Sequence, residues 1–173
     1  LSLAEVKSFL NEINLLELST NQIGFTGGEP FMNPQIIDMI KESIKHEKDV
    51  LILTNAMRPM MKLEKDILKL RRYRKKICFR VSLDHFTKVN HEHIRGKNSW
   101  EPAIRGIKWL KDNGFLVHIA TRMVWNKSER FIRNNFNDLF KNIQVSINAF
   151  DANQLVLFPE LNRNIETPEI TNE

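Results

Sequence analysis

Apolar residues along the chain follow two alternating patterns. Short runs rich in branched side chains cover residues 22–26, 50–54, 77–83, 116–123 and 154–158, and predict strands buried on both faces. Between them the spacing turns helical. Leu3, Val6, Leu10 and Ile13 share one face, opened by a Ser2/Glu5 capping box. Ile36, Ile37, Ile40 and Ile44 follow Asn33 as cap and Pro34 as first helical residue. A third helix is predicted over residues 60–74. A fourth runs from near Ser99 through Ile104, Ile107 and Leu110 to Gly114, and a last one from near Ser128 carries Phe131, Ile132, Phe136, Leu139 and Phe140.

Regular alternation of strand and helix predicts an α/β fold with a parallel sheet and crossover helices. Five strands leave two arrangements open, a doubly wound open sheet or part of a TIM-like barrel. Residues 1–160 read as one domain. The stretch 161–173 is polar, contains Pro168 and has no apolar period, so it reads as a tail or the start of a further segment.

Composition narrows the class. With 42% apolar and 27% charged residues over 173 positions, the chain is long enough to bury a core. No apolar run is long enough to span a membrane and no signal peptide is recognisable, which predicts a cytoplasmic protein without a membrane partner. The net charge is +5, with much of the excess between Lys69 and Lys76 at a predicted helix end. There it complements the helix dipole and faces water, so nucleic acid is not the expected partner. The single cysteine, Cys78, sits between Ile77 and Phe79 and reads as a buried strand residue; no disulfide and no cysteine metal site can be built from it.

Chemistry in parallel α/β folds collects at the carboxyl ends of the strands. Those ends read Thr26-Gly27-Gly28-Glu29-Pro30, Thr54-Asn55, Ser82 with Asp84-His85, Thr121-Arg122 and Pro159-Glu160. Gly27-Gly28 permits close approach or positive φ, and Pro30 leaves the Gly28 and Glu29 carbonyls as acceptors suited to an ammonium group. A tight turn alone would also use these residues. Arg122 can fork onto a carboxylate. Asp84 could cap a turn with His85 exposed beside it, or the pair could serve proton transfer. His85, His91 and His93 are not expected to bind metal, because residues 90–97 read as a solvated loop. The three tryptophans and the phenylalanines read as core or its cover.

The segment from Gly24 to Pro34, GFTGGEPFMNP, resembles the first-strand motif of radical S-adenosylmethionine (SAM) enzymes. Leu53-Thr54-Asn55, Val81-Ser82-Leu83-Asp84 and Arg95-Gly96 follow in that family's order and approximate spacing. The resemblance implies a partial (β/α)6 TIM-like barrel, here units two to six. It implies SAM as cofactor, with its amino group on the backbone of Gly27, Gly28, Glu29 and Pro30. Thr54, Asn55 and Ser82 would then lie against the cofactor, Arg122 against its carboxylate, and Asp84 and His85 near the reacting centre. It further implies a 4Fe-4S cluster, an electron donor such as flavodoxin or ferredoxin, and hydrogen abstraction from a substrate.

One feature of that family is missing from these residues. Its C-x3-C-x2-C triad is expected upstream of Leu1, and Cys78 does not replace three thiolates. The chain beginning at Leu1 is therefore expected to be a fragment, inactive by itself in reductive chemistry. Two other readings are a cluster-free barrel that binds SAM or a partner, and a basic module that binds RNA through residues 69–76.

Overall fold

The computed structural model describes residues 1–123 and 127–159. Five strands, β1 (Gln22–Phe25), β2 (Asp49–Thr54), β3 (Ile77–Ser82), β4 (Leu116–Met123) and β5 (Leu155–Pro159), form one parallel sheet in the order in which they occur along the chain. That order decides between the two arrangements open from sequence. A doubly wound sheet reverses direction at a switch point; strands that always step the same way, with crossovers of one hand, keep every helix on one face. The result is the partial βα-barrel.

Alternation along the strands separates the faces. Val50, Ile52, Ile77, Phe79, Val81, Val117, Ile119 and Leu155 are buried in a single core with the helices. Residues of opposite parity form the inner face: Leu51 and Leu53, Cys78, Arg80 and Ser82, and His118, Ala120 and Arg122.

The helices are α1 (Leu3–Leu15), α2 (Ile36–Lys45), α3 (Arg58–Lys62), α4 (Glu64–Lys69), α5 (Lys88–Arg95), α6 (Trp100–Asp112) and α7 (Glu129–Asn142). The Ser2/Glu5 capping box is present: Glu5 N–H donates to Ser2 Oγ at 3.3 Å and Ser2 N–H to Glu5 Oε2 at 2.7 Å. Gly114 adopts φ 76° after α6, as a left-handed helix stop requires.

Four expectations are corrected. Helix α2 begins at Ile36, because Pro30–Met32 forms a 3-10 turn and Asn33 Oδ1 accepts from Gln35 N–H instead of capping a helix at Pro34. The helix expected over residues 60–74 is broken into α3, α4 and a 3-10 turn at Leu70–Tyr73. The break lies at Leu63, whose N–H turns back to the Met60 carbonyl while its own carbonyl starts α4 by accepting from Asp66 and Ile67. Residues 90–97 are not a loop: α5 occupies most of them and ends at Gly96, φ 93°. Phe131, assigned to an apolar face, is exposed with Lys127 Nζ 5.5 Å above its ring. Trp100 and Trp109 pack on the core as expected. Trp125, Glu160 and the tail 161–173 lie outside the described residues.

Candidate cofactor-binding site

The turn after β1 is built from two glycines in the left-handed half of backbone space, Gly27 at φ 92° and Gly28 at φ 44°. No atom lies within 4 Å of where a Cβ would sit on either, so both are open to a ligand. Among the described residues the carbonyls of Gly27 and Gly28 receive no hydrogen bond, whereas that of Glu29 already accepts from Met32 N–H at 3.0 Å. Only the first two are therefore wholly available, a refinement of the expectation that Gly28 and Glu29 would serve.

Glu29 fixes this turn to the next strand. Its Oε1 accepts from Thr54 Oγ1 at 2.7 Å and from Phe31 N–H at 3.3 Å, and its Oε2 accepts from Asn55 N–H at 2.8 Å. Thr54 is only 2% exposed, and its hydroxyl also accepts from Ala56 N–H at 3.0 Å. Pairing of Thr54 with Val81 puts it on the helix-covered face, while Ser82 is on the inner face. Thr54 and Asn55 thus hold Glu29, and of the two hydroxyls read as cofactor contacts only Ser82 faces inward. The Asn55 side chain is also occupied, its Oδ1 accepting from Met57 N–H at 2.9 Å.

At the ends of β3 and β4 the charges pair with one another. Asp84 is 3% exposed, with Arg95 Nε on its Oδ2 at 2.5 Å and Arg122 Nε 3.4 Å from its Oδ1. Sequence reasoning does not single out Arg95 as a site residue; Arg95-Gly96 enters it only as part of the motif series. It comes from α5, whose buried residue is His91, 1% exposed, packed edge-on to Trp100 and pushed towards the neutral form chiefly by burial.

His85 is buried rather than exposed. Its Nδ1 accepts from Thr87 N–H at 2.9 Å, which leaves the proton of the neutral ring on Nε2, where a bond to Asn90 requires the amide oxygen, rather than the Nδ2 that lies at 3.2 Å, to face the ring. Burial lowers its pKa. The ring lies against Phe86, with centroids 3.9 Å apart, so its geometry is that of an anchor for the turn into α5. Thr121, at the end of β4, is buried on the helix side, and its hydroxyl has no partner among the described residues.

With these groups in place, the comparison with known families is decisive. The profile of the radical SAM superfamily matches residues 1–130. The chain belongs to the radical SAM superfamily. Over 96 residues it is 35% identical to the antilisterial bacteriocin subtilosin biosynthesis protein AlbA of Bacillus subtilis (strain 168), a match covering 55% of this chain and 21% of AlbA. Its fold matches Streptococcus suis SuiB bound to S-adenosylmethionine with a TM-score of 0.67 at 15% identity, over 84% of this chain and 32% of SuiB. It also matches anSMEcpe with bound AdoMet and the Kp18Cys peptide, with a TM-score of 0.66 at 17% identity, over 96% of this chain and 45% of the other. The chain therefore spans about a fifth of the curated relative, and the two structural likenesses are likenesses of fold.

The residues present fit one of the family's two groups. Free carbonyls at an open glycine turn suit an ammonium, and the exposed guanidinium of Arg122 suits a carboxylate; SAM's methionine part carries both. A 4Fe-4S cluster does not fit. It needs thiolates, whereas burial pushes the Cys78 thiol up to about 11 and no second cysteine exists in the sequence. Among the described residues no three His, Cys, Asp or Glu side chains converge to hold a metal.

Proposed function

We propose that this chain is the SAM-binding part of a radical SAM enzyme that abstracts hydrogen from its substrate. The observation that carries this reading is the clamp of Glu29 by Thr54 and Asn55, which holds the Gly27–Gly28 carbonyls in place before any ligand arrives. In this reading Gly27 and Gly28 accept the ammonium of SAM, Ser82 meets the cofactor from the inner face, and Arg122 takes its carboxylate. Asp84 is a positioning residue that orients Arg122 and is itself held by Arg95. His85 borders this region as anchor of the turn, and its use as a proton carrier would require it to release Thr87.

SAM bound at a reduced cluster supplies hydrogen-abstracting power in this family. With one protonated thiol among 173 residues, the cluster's ligands must come from outside them, and the electron donor, a flavodoxin or ferredoxin, would act there. AlbA is named for bacteriocin biosynthesis, SuiB has been solved with its precursor peptide SuiA, and anSMEcpe with a peptide. A peptide is accordingly the substrate class we assign to the parent enzyme.

Calorimetric titration of the chain with SAM and with 5′-methylthioadenosine, which lacks the amino acid end, tests the reading. SAM binding that weakens at least tenfold in Gly28→Val and in Arg122→Met is expected. Equal binding of both compounds, or no effect of Gly28→Val, would remove the assignment. A single observation favours the cluster-free alternative, the lone buried Cys78. SAM binding to the whole native protein without a cysteine triad would establish it.

A further inference from the structure

The inner face carries a basic pair that the proposed SAM contacts leave unused. Arg80 on β3 and His118 on β4 are direct partners across the parallel ladder, and both lie one inner-face layer below Ser82 and Ala120. Arg80 Nε and His118 Nδ1 are each cut off from solvent, and among the described residues neither has a hydrogen-bond partner. Arg80 also enters no ion pair among those residues. As whole residues Arg80 and His118 are only partly buried, so part of the Arg80 side chain remains reachable on the inner face with no anion paired to it among the described residues.

Neighbouring charges do not supply that anion. Burial, Arg80 and Lys111 all disfavour protonation of His118, and only Asp151 favours it, so the ring is pushed towards the neutral form. The Asp151 carboxylate is already taken by Asn153 N–H and by the Gln154 side chain, each at 2.8 Å. Cys78, on the same face two residues before Arg80, is held as a thiol by burial. What remains is a permanent cation beside a neutral imidazole that can donate one further hydrogen bond.

We infer that Arg80 and His118 form a carboxylate-binding site for a small-molecule acid lying on the inner face across β3 and β4. The Arg80 fork takes the two oxygens, and the neutral His118 ring borders them. A strand rises about 3.3 Å per residue, so a molecule anchored there reaches the level of Ser82 after about 7 Å. That places its far end towards the carboxyl-end groups where chemistry gathers. The site is two strands away from the Gly27–Gly28 turn and does not depend on SAM occupying it, so the two assignments fail separately.

The test follows the Arg80 Nε–H and the His118 ring nitrogens by NMR in the 15N-labelled chain while sodium acetate is added, with sodium chloride at equal ionic strength as control. Saturable shifts of both groups with acetate, not matched by chloride, are expected. In Arg80→Gln the His118 response should need at least tenfold more acetate. If Arg80→Gln does not fold, Arg80→Lys keeps the charge but loses the fork, and should weaken acetate severalfold. Identical responses to acetate and chloride, or an unchanged acetate midpoint in the variant that folds, would overturn the site.

Discussion

Glu29 and Thr54, 25 residues apart in sequence, are joined by a 2.7 Å hydrogen bond that ties the turn after β1 to the end of β2. Glu29 thereby becomes part of the scaffold rather than a group free for chemistry. In the proposed function the ligand-facing parts of the motif are the backbone atoms of the two glycines beside it.

Replacing Thr54 by Val keeps the shape and removes a buried hydroxyl that both donates to Glu29 and accepts from Ala56. The Ala56 N–H loses its partner and Glu29 Oε1 keeps only the longer bond from Phe31 N–H, so a cost of about 1–3 kcal/mol is expected in urea unfolding. Thr54→Ser, which retains the hydroxyl, should recover most of it, and SAM affinity should follow the same order.

Arg95→Met should destabilise the chain by about 3 kcal/mol, since it strips the nearer of two cations from a buried carboxylate and leaves Arg122 as the only counter-ion among the described residues. In the Asp84→Asn background the same change should cost much less. A double-mutant cycle measured by chemical denaturation reads the difference directly.

Gly106 lies in α6 where the helix crosses the Ala56 backbone, and a Cβ there would overlap the Ala56 carbonyl oxygen. Alanine is the better helix former by about 1 kcal/mol, which alone would predict stabilisation. Overpacking against a backbone atom costs about 1–3 kcal/mol and should win. A fall in melting temperature of Gly106→Ala checks the sign, and a rise would show that α6 can move away.

His85, His91 and His118 all have pKa values lowered from 6.5, with burial the largest cause in each. The folded state therefore binds fewer protons than the unfolded state between the lowered values and 6.5. Their contribution is complete above about pH 6.5 and is lost as pH falls through the folded values. Denaturation midpoints should drop between pH 7.5 and 5, before the carboxylates Asp66 and Asp151, lowered from 3.8, begin to matter. A flat profile over that range would show the three rings to be accessible when folded.

Much of the fold is legible in the chain because its signals are local. Branched runs mark the five strands, Ser2 with Glu5 opens α1, and Gly114 closes α6. The misread elements are those where tertiary contacts outweigh local signals. Residues 90–97 are polar enough to resemble a loop, yet most of them belong to the helix Lys88–Arg95, which buries His91 against Trp100 and sends Arg95 to Asp84. Thr54 and Ser82 look equivalent as polar residues at strand ends, and only the register shows that they face opposite ways.

The sequence by itself determined the alternation of strand and helix, the open glycine turn and the family to which these belong, because each depends on residues close together along the chain. Only the tertiary structure decided which polar groups are already satisfied and which await a ligand. Hydrogen bonds and ion pairs join residues from different strands and helices: Glu29 to Thr54, Asp84 to Arg95, and Arg80 beside an unpartnered His118. Whether a polar side chain is spent or available depends on what the fold brings within about 3 Å of it, and spacing along one chain does not encode that distance.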